Sequence, residues 1–287
     1  MNTIPLVTVY LTTHNRLNRL KRALASVFGQ TYKNIEIIVC DDASDDATNE
    51  YMRSIVAKHS NVKYIRNDVN EGACVARNMA IFSAKGEFIT GLDDDDEFTA
   101  DRVETFVHNW DDKYSFISCD FYEVYNDGKK NRYYNIKKKK EYEHNHLLYD
   151  NNASNQIFTR TSYLKEIGGF DKRVKRLQDW DTWLRLSAKY GKYCVLPFTT
   201  YIMHHDHSLN EKRVSKSYKS YTALEDFVDR NIGLYFNNKY LEIIKYTIDY
   251  EKGNARLFPS VLASLYSSNI KHFIKYIYQK LGFNPKG

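Results

Sequence analysis

The sequence has few cysteines and lacks any long apolar run. Its four cysteines lie far apart and form no CxxC or CxxH pair, which argues against a zinc site or a disulfide framework and predicts buried, reduced thiols. No stretch approaches the roughly 20 uninterrupted apolar residues that a membrane-spanning helix needs. The first residues carry no basic segment and no small-residue cleavage site, so we expect a cytoplasmic protein.

Two common nucleotide-binding motifs are also missing. No GxGxxG follows the first predicted strand, and no GxxxxGK[ST] occurs anywhere, so the usual dinucleotide fingerprint and the P-loop are excluded. Apart from KKKK at 137–140, the basic residues behind the formal charge of +6 are scattered, without an RNP-like or helix-turn-helix pattern. A basic nucleic-acid-binding module is therefore the least favoured hypothesis, and we expect no nucleic-acid partner.

Apolar runs alternate with helical patterns over the first part of the chain. The runs at 6–12, 35–40, 62–66 and 87–92 predict strands, and the spacing of apolar residues at 17–28, 48–58 and 74–84 predicts helices between them. This alternation is typical of a parallel, doubly wound sheet. Polar clusters at 12–16, 41–46 and 93–97 follow three of the strands, so we expect them to form one site at the carboxyl edge of the sheet.

The pattern changes after Trp110. Residues 115–125 and 129–136 predict a hairpin, and KKKKEYEHNH at 137–146 predicts an exposed loop. The stretch QDWDTWLRL predicts a helix, and the chain beyond Tyr218 reads as mainly helical.

Four consecutive carboxylates stand in the stretch GLDDDDEF at 91–98. Adjacent carboxylates repel one another unless water screens them or a cation joins them. Taken alone, such a run is most often a solvated turn. Its place at a strand end favours a site for Mg²⁺ or Mn²⁺, which prefer hard oxygen ligands, and the lack of nearby Cys or His argues against zinc.

Six motifs follow one another along the chain: TTHNR at 12–16, VCDDASDDAT at 39–48, NEGACVARNMA at 70–80, GLDDDDEF at 91–98, GGFD at 168–171 and QDWDTWLRL at 178–186. Their order resembles that of family 2 glycosyltransferases of the GT-A fold. The resemblance covers about the first two-thirds of the chain. It implies an α/β fold of the GT-A type: a single Rossmann-like, doubly wound, mainly parallel sheet with an acceptor-side region and a C-terminal helical extension.

The resemblance also implies a domain organisation. Residues 1–215 would form the catalytic domain, with a nucleotide-sugar-binding half at 1–110 and a half carrying the acceptor site and catalytic base at 111–215. Residues 216–287 would form the helical extension.

Site residues follow from the same motifs. Nucleotide-sugar binding is expected from Thr12, His14, Arg16, Asp41, Asp42, Arg77, Asp93 and Asp94. Asp95 is the expected ligand of a divalent cation, Mn²⁺ or Mg²⁺, with His204 or His205 as an additional candidate. Asp179 is the expected catalytic base, with Asp181 as the alternative on a different helix face.

Acceptor contacts are assigned to Asn155, Gln156 and Trp180, although a turn and strand role suits the first two equally well. Gln178 stands where the family usually has Glu, His14 where Tyr is common and Ala100 where Pro is frequent. The first of these departures removes a charge beside the expected base.

The activity implied by the resemblance is inverting transfer of a single sugar from a UDP-sugar to a hydroxyl of a glycan acceptor. That acceptor is expected to be linked to polyprenyl diphosphate, in O-antigen, capsule or lipooligosaccharide synthesis. The absence of a QxxRW segment argues against a processive synthase. The alternative enzyme hypothesis is a metal-dependent nucleotidyltransferase or phosphohydrolase, which would want a glycine-rich phosphate loop or an aspartate nucleophile after the first strand.

The C-terminal segment at 269–283 predicts a basic amphipathic helix. Ile270, Phe273, Ile274, Ile277 and Leu281 share one face, with lysines elsewhere. Such a helix can lie on an anionic membrane, cap the catalytic domain or mediate a dimer, and the sequence leaves these three open. The first would place the protein peripherally on the cytoplasmic face of the inner membrane.

Overall fold

The computed structural model describes residues 4–153, 156–206 and 218–282. The chain divides into two units. Unit 1 comprises Met1–Glu143, Ala153–Val174 and Gln178–Leu209, and unit 2 comprises His144–Asn152, Lys175–Leu177 and Asn210–Gly287. Two short central segments thus belong with the C-terminal helices, whereas the sequence suggested a single boundary after residue 215. The functional division into domains remains a prediction.

The strands of unit 1 form one sheet. They are β1 (Val7–Thr13), β2 (Ile35–Asp41), β3 (Val62–Arg66), β4 (Phe88–Asp93), β5 (Glu97–Phe98), β6 (Ile117–Tyr125), β7 (Lys130–Arg132), β8 (Lys140–Tyr142), β9 (Phe158–Arg160) and β10 (Tyr193–His205). Their order is β3-β2-β1-β4-β9-β6-β10-β5, with β7 beside β6 and β8 beside β10. Strands β1 to β4 are mutually parallel where they pair, as is the long β6–β10 pair, and the short strands are antiparallel.

The helices of unit 1 are α1 (Leu17–Phe28), α2 (Thr48–Lys58), α3 (Ala73–Ser83), α4 (Arg102–Asn109), α5 (Thr161–Glu166) and α6 (Gln178–Tyr190). Those of unit 2 are α7 (Ser220–Arg230), α8 (Asn238–Glu251), α9 (Leu257–Tyr266) and α10 (Lys271–Lys280). Short 3-10 helices span His144–Leu148 and Ile232–Leu234. Within the described ranges, every helix falls short of the length and apolar content needed to cross a bilayer.

The sequence pattern explains why the first three strands and helices form where they do. Strands β1 and β2 are β-branched runs that are buried almost throughout, as expected for parallel strands covered on both faces. Helix α1 buries Leu20, Ala23, Leu24 and Val27, which recur at helical spacing on one face. The predicted α/β class with a mainly parallel sheet is confirmed, and all four cysteines are buried free thiols.

One sequence prediction was wrong in part. The basic segment at 137–146, expected to be an exposed loop, contains strand β8 and the start of a 3-10 helix. Strand β8 pairs antiparallel with β10, and Tyr142 stacks on Tyr193 with 5.4 Å between ring centroids. The pairing partner lies about fifty residues further along the chain, so the local composition gave no sign of it.

Candidate active site

Three parallel strands bring the predicted polar clusters to one edge of the sheet. The register places Thr12 beside Asp93 and Thr13 beside Asp41, so β1, β2 and β4 end at the same level. A cavity of about 390 Å³ opens there. It is lined by Thr12, Thr13, His14, Arg16, Asp42, Ala73, Ala76, Arg77, Asp93, Asp94 and Asp95. The sequence predicted from strand order that the three polar clusters lie at one edge of the sheet, and the fold places them there.

The carboxylate of Asp42, which follows β2, is held in place by groups that immediately precede α3. Its carboxylate accepts hydrogen bonds from the Asn67 side chain at 2.7 Å and from the backbone N–H groups of Glu71 at 2.9 Å and Gly72 at 2.7 Å. Gly72 has a φ of +90°, a conformation that side chains with a Cβ rarely adopt, which allows its N–H to reach the carboxylate. The Asp42 backbone carbonyl lies 2.8 Å from Nδ1 of His14, so these two cavity residues are held together.

Asp41, expected beside Asp42 at the nucleotide, does not line the cavity. It is 1% exposed, and its carboxylate accepts from the Ser44 backbone N–H at 2.8 Å and from the Tyr64 hydroxyl at 2.5 Å. Arg66 lies 3.4 Å from the same carboxylate. The strand alternation turns neighbouring side chains to opposite faces, so only one of the two carboxylates reaches the cavity.

The four carboxylates of the acidic run diverge. Asp93, the last residue of β4, accepts from the side chains of Arg77 at 3.3 Å and Gln156 at 3.1 Å. Asp96 turns away from the cavity and accepts from the Tyr201 hydroxyl at 2.7 Å and the His204 backbone N–H at 2.9 Å. Burial, reinforced by the neighbouring carboxylates, raises the pKa of Asp96 well above its usual value. Asp96 therefore anchors the turn to β10.

Asp94 and Asp95 face one guanidinium. Nη1 of Arg16 donates to Asp94 at 3.1 Å and to Asp95 at 3.2 Å. Burial raises the pKa of Asp94 to about 6, against the opposing effect of Arg16. Burial, followed by the charge of Asp93, also raises the pKa of Asp95. These groups are held close enough to repel one another, and a positive charge in the cavity would favour their ionised forms.

The donor set suits a hard divalent cation whose remaining ligands come from elsewhere. Among the described residues, no three His, Cys, Asp or Glu side chains are placed to hold a metal by themselves. Mg²⁺ is commonly bound by one or two carboxylates together with phosphate oxygens and water. Asp93 and Asp95 both line the cavity and interact electrostatically. The guanidinium of Arg16 already places one positive charge beside the acidic run. The carboxylates fit that arrangement.

The two histidines proposed as further metal ligands do not reach the cavity. Nε2 of His204 lies 2.7 Å from a carboxylate oxygen of Glu97, and Nε2 of His205 lies 2.9 Å from Glu123. In each imidazole, one ring nitrogen is thus within hydrogen-bond distance of a carboxylate on a neighbouring strand. The structure therefore does not support a metal contact from either of them.

Arg77 connects the acidic run to α6. From helix α3, its Nη1 donates to Oε1 of Gln178 at 2.7 Å and lies 3.9 Å from Oδ1 of Asp179, while Nη2 reaches Asp93. The guanidinium also lies 5.0 Å from the ring centroid of Phe170. Gln178, the departure from the family pattern, accepts from Arg77 without adding a second negative charge beside Asp179.

Asp179 has the environment of a base that titrates near neutral pH. Its side chain is 24% exposed, but Oδ1 is buried and accepts no hydrogen bond from the described residues. Burial raises the pKa of Asp179; the Arg77 guanidinium opposes this rise and the Asp93 carboxylate adds to it, leaving the pKa at about 7. A carboxylate with a pKa close to the working pH can both accept and release a proton efficiently.

Asp181, the alternative base, is occupied elsewhere. It is 1% exposed and accepts from Nε of Arg185 at 3.0 Å, one turn further along α6. Arg185 in turn donates to the backbone carbonyls of Ile167 at 3.0 Å and Gly169 at 2.8 Å. Asp181 therefore fixes α6 to the preceding turn and is not available to an acceptor.

The predicted acceptor contacts have mixed outcomes. Asn155 lies outside the described residues. Trp180 is 9% exposed and does not line the cavity. Gln156 is 2% exposed, so a direct acceptor contact is not what the structure shows; its amide instead donates to Asp93.

A buried support behind Asp93 was missed by the sequence reasoning. Gln156 Oε1 accepts from the Tyr10 hydroxyl at 3.4 Å, and both side chains pack over Gly91. A Cβ added at Gly91 would lie 2.1 Å from Oε1 of Gln156 and 2.5 Å from the Tyr10 ring. Glycine inside an apolar strand often marks a close approach of this kind, and that was the available signal.

Comparisons with known proteins agree with this geometry. The sequence profile described as Glycosyl transferase family 2 matches residues 8–168. A protein named as a colanic acid biosynthesis glycosyl transferase, WcaA of Escherichia coli strain K12, is 34% identical over 235 residues, which cover 79% of this chain and 81% of WcaA.

A second E. coli relative is named UDP-Glc:alpha-D-GlcNAc-diphosphoundecaprenol beta-1,3-glucosyltransferase WfaP. It is 35% identical over 122 residues, covering 42% of this chain and 48% of WfaP, so the match spans about half of that protein. A crystal structure of S. aureus TarS in complex with UDP-GlcNAc superposes with a TM-score of 0.67 at 16% identity, covering 98% of this chain and 93% of the TarS chain. The fold is thus that of TarS, and the chain belongs to glycosyltransferase family 2.

Proposed function

We propose that this glycosyltransferase moves a single sugar from a UDP-sugar to a hydroxyl of a glycan acceptor, with inversion at the anomeric carbon. The observation that supports this most directly is the junction at Arg77. One guanidinium joins Asp93, at the start of the acidic run, to the helix that carries Asp179. The cavity is thereby connected to the proposed base through Arg77, which lines it, although Asp179 itself is not a lining residue.

The nucleotide is assigned to the Asp42 side of the cavity. Asp42 is held by three hydrogen bonds and still faces the cavity, so its carboxylate can accept from a ring N–H of uracil. Thr12 and His14 also line the cavity and would flank the base and ribose. Among the relatives, WfaP is named for a UDP-sugar donor and TarS was crystallised with UDP-GlcNAc.

The diphosphate is assigned to the side of the cavity formed by the acidic run. Asp95 would hold a Mn²⁺ or Mg²⁺ ion, with Asp93 and Asp94 on the ribose side, and such a cation when bound supplies charge stabilisation to a diphosphate leaving group. Arg16 and Arg77 line the cavity and present guanidinium donors, which suit phosphate oxygens. Arg16 would then exchange its carboxylate partners for phosphate, whereas Arg77 stays tied to Gln178 and Asp93.

The chemical step follows from the position of Asp179. The acceptor oxygen forms a bond to the anomeric carbon as the bond from that carbon to the diphosphate oxygen breaks. The electron pair of the broken bond leaves with UDP. Asp179 takes the hydroxyl proton during the attack. Because this is one displacement without a covalent sugar–enzyme intermediate, the configuration at the anomeric carbon inverts.

The acceptor and the pathway rest on the relatives. WfaP is named for an acceptor linked to diphosphoundecaprenol, and WcaA for colanic acid biosynthesis. We therefore assign this enzyme to the assembly of a bacterial surface polysaccharide such as O-antigen, capsule or lipooligosaccharide, with a glycan linked to polyprenyl diphosphate as acceptor. Work at the cytoplasmic face of a membrane, membrane contact through 269–283 and an oligomeric state remain predictions. Family membership argues against the nucleotidyltransferase, phosphohydrolase and nucleic-acid-binding alternatives.

Thermal unfolding with nucleotide and metal tests the donor site. We expect UDP to raise the melting temperature in the presence of Mn²⁺ and to have little effect without it, because Asp95 would hold the cation and the cation would supply positive charge to the diphosphate. Asp95→Ala should lose this metal-dependent shift. Asp127→Ala is the matched control, since that carboxylate is 52% exposed in a hairpin turn, forms its ion pair with Lys129 and should respond like the native protein.

The outcomes are separable. Stabilisation by UDP with Mn²⁺ that is retained in Asp95→Ala would move the metal to another carboxylate of the run. No response to any nucleoside diphosphate in the native protein would overturn the proposed donor class. Hydrolysis of UDP-Glc, UDP-Gal, UDP-GlcNAc and UDP-GalNAc, measured in parallel, would then identify the sugar.

A further inference from the structure

Helices α9 and α10 of unit 2 carry an unusual amount of exposed apolar surface. Among the large hydrophobic side chains that are exposed in the described residues, ten of nineteen lie between Leu257 and Leu281. Phe258 is 70% exposed, Leu265 67%, Ile270 66% and Leu281 64%. Single exposed hydrophobic residues are normal on a protein surface, but a concentration of this kind marks an interaction site.

The two helices are arranged with their apolar faces outward. In α9, Phe258, Val261 and Leu265 share one exposed face, whereas the buried residues of this helix are Ser260 and Ala263. In α10, the only buried residue is His272. The fully buried residues of these helices are thus small or polar, and several large apolar side chains are exposed, whereas Leu262, Phe273 and Tyr276 are partly buried.

Unit 2 does not need this face for its own core. A separate cluster, in which Ile243, Tyr246 and Tyr250 of α8 pack with Ala255 and Ala263, already forms the buried interior. The exposed side chains would therefore gain burial only from something outside the described chain. We call this surface the apolar face of α9 and α10, defined by Phe258, Leu265, Ile270, Ile274, Ile277 and Leu281.

The charged residues within the segment 252–282 all have one sign, although carboxylates of other elements pair with some of them, as Asp249 does with Arg256 at 3.8 Å. From residue 252 to 282 the sequence contains five Lys or Arg residues and no Asp or Glu. Lys271 pairs with Asp150 at 3.1 Å, and Lys252 pairs with Glu225 at 2.5 Å, so the nearby acidic groups on other elements are partly neutralised. Lys275 lies 5.1 Å from the Tyr250 ring centroid and Lys280 lies 5.9 Å from that of Tyr276.

Exposed apolar side chains together with lysines favour one kind of binding partner for this face over another. A second copy in a two-fold dimer would bring the same cationic patch against itself, which like-charge repulsion disfavours. Anionic lipid head groups complement the lysines, and the acyl boundary of a bilayer accepts the apolar side chains. No described helix is long enough to cross a bilayer, so the helices would lie in the interface.

We propose that the apolar face of α9 and α10 binds the surface of an anionic lipid bilayer. This goes beyond the amphipathic segment suggested by the sequence, because α9 contributes the most exposed side chain of the patch, Phe258. Bilayer binding would bring the enzyme to an acceptor carried on a lipid, but it does not depend on the transfer reaction. It can be measured without donor or acceptor and can fail while the proposed activity holds.

Co-sedimentation with vesicles tests the proposal on the full chain. We expect binding to vesicles of equal phosphatidylcholine and phosphatidylglycerol, weaker binding to phosphatidylcholine alone and a loss of binding as salt is raised. The double variant Phe258→Glu/Leu265→Glu should reduce the partition coefficient by about tenfold or more, since it removes apolar contacts and adds repulsive charge. The variant Lys275→Gln/Lys280→Gln should reduce it for the anionic vesicles only.

The matched control is Val56→Glu/Phe82→Glu, which places two acidic groups on exposed apolar positions of unit 1, 38% and 53% exposed, and should bind vesicles nearly as well as the native chain. Circular dichroism and the melting temperature show whether each variant is folded; if Phe258→Glu/Leu265→Glu is not, Phe258→Ser/Leu265→Ser replaces it. Failure of the native chain to bind any vesicle would overturn the proposal. So would equal binding by the folded α9 variant, or light scattering that shows a dimer abolished by the same substitutions.

Discussion

The cavity of unit 1 and the apolar face of unit 2 depart from the usual distribution of side chains in opposite directions. Around the cavity, Asp42, Asp94 and Arg77 are each less than 10% exposed although all three are ionisable. On α9, Phe258 and Leu265 are more than 60% exposed although both are apolar. Each arrangement has a free-energy cost of its own kind: burial of charge in the first, hydration of apolar surface in the second.

The difference lies in where the compensation comes from. In unit 1 it comes from the chain: backbone N–H groups satisfy Asp42, and Arg77 and Gln156 satisfy Asp93. In unit 2 no described residue covers Phe258 or Leu265, so the compensation must come from another surface. A site that is satisfied internally is organised in advance for a small ligand, whereas a face that is not satisfied internally indicates a large partner.

The largest expected effect concerns Asp179, whose buried Oδ1 accepts no hydrogen bond from the described residues. Asp179→Asn keeps the shape but removes the proton acceptor, so we expect the transfer rate to fall by about 10²- to 10⁴-fold, the usual contribution of a general base. Stabilisation by UDP and Mn²⁺ should be retained. Radiolabelled sugar transfer and thermal unfolding measure the two properties separately.

Asp181→Asn is the matched control for that substitution. It breaks the pair with Arg185, so it should lower the melting temperature while leaving the rate of the folded enzyme nearly unchanged. The native rate should also rise with pH through about 7, because the pKa of Asp179 is raised to that value and only the ionised form accepts a proton. A residual rate in Asp179→Asn with the same pH dependence would assign the base to another group.

A smaller effect is expected from the support behind Asp93. Gly91→Ala places a methyl group 2.1 Å from Oε1 of Gln156, and such overpacking typically costs about 1–3 kcal/mol of unfolding free energy. Chemical denaturation should detect the loss, and UDP binding should weaken because Gln156 no longer holds Asp93. Gly233→Ala is the control, since nothing lies within 4 Å of its added Cβ. Equal stability of the two variants would show that the support is not tightly packed.

The smallest effect is expected in the interior of unit 2. Burial, with help from Lys271 and Lys275, lowers the pKa of His272 to about 4, and neither ring nitrogen has a hydrogen-bond partner among the described residues. As pH falls below 6.5, the unfolded chain takes up the proton before the folded one, so stability is lost between pH 6.5 and about 4.

His272→Leu removes that titration and the unpaired nitrogens. We expect it to change the unfolding free energy at neutral pH by about 1 kcal/mol or less and to flatten its decline in acid. His144→Leu, at a partly exposed position of the same unit, should keep the native acid dependence. Denaturation series at several pH values provide the measurement; an unchanged acid slope in His272→Leu would assign the loss to other groups.

Much of the fold could be predicted because its signals are local. Helix α1 and strand β3 lie where the apolar spacing placed them, at Leu17–Phe28 and Val62–Arg66. The common edge for Thr12, Asp42 and Asp93 followed from strand order alone, since parallel strands end together. Strand β8 and the segments 144–152 and 175–177, which belong to unit 2, could not be predicted because their partners lie far away in the sequence.

The sequence by itself determined which motifs would meet and what chemistry they could supply: carboxylates at strand ends, an arginine after Gly72, two aspartates on different faces of α6. Tertiary structure decided which member of each pair is buried by its own contacts and which is left accessible. Helical and strand periods say that Asp179 and Asp181, or Asp41 and Asp42, point in different directions, but not which direction is covered. Packing buries Asp181 and Asp41, turns Gln156 onto Asp93 and leaves Phe258 facing outward, because each depends on contacts between distant segments.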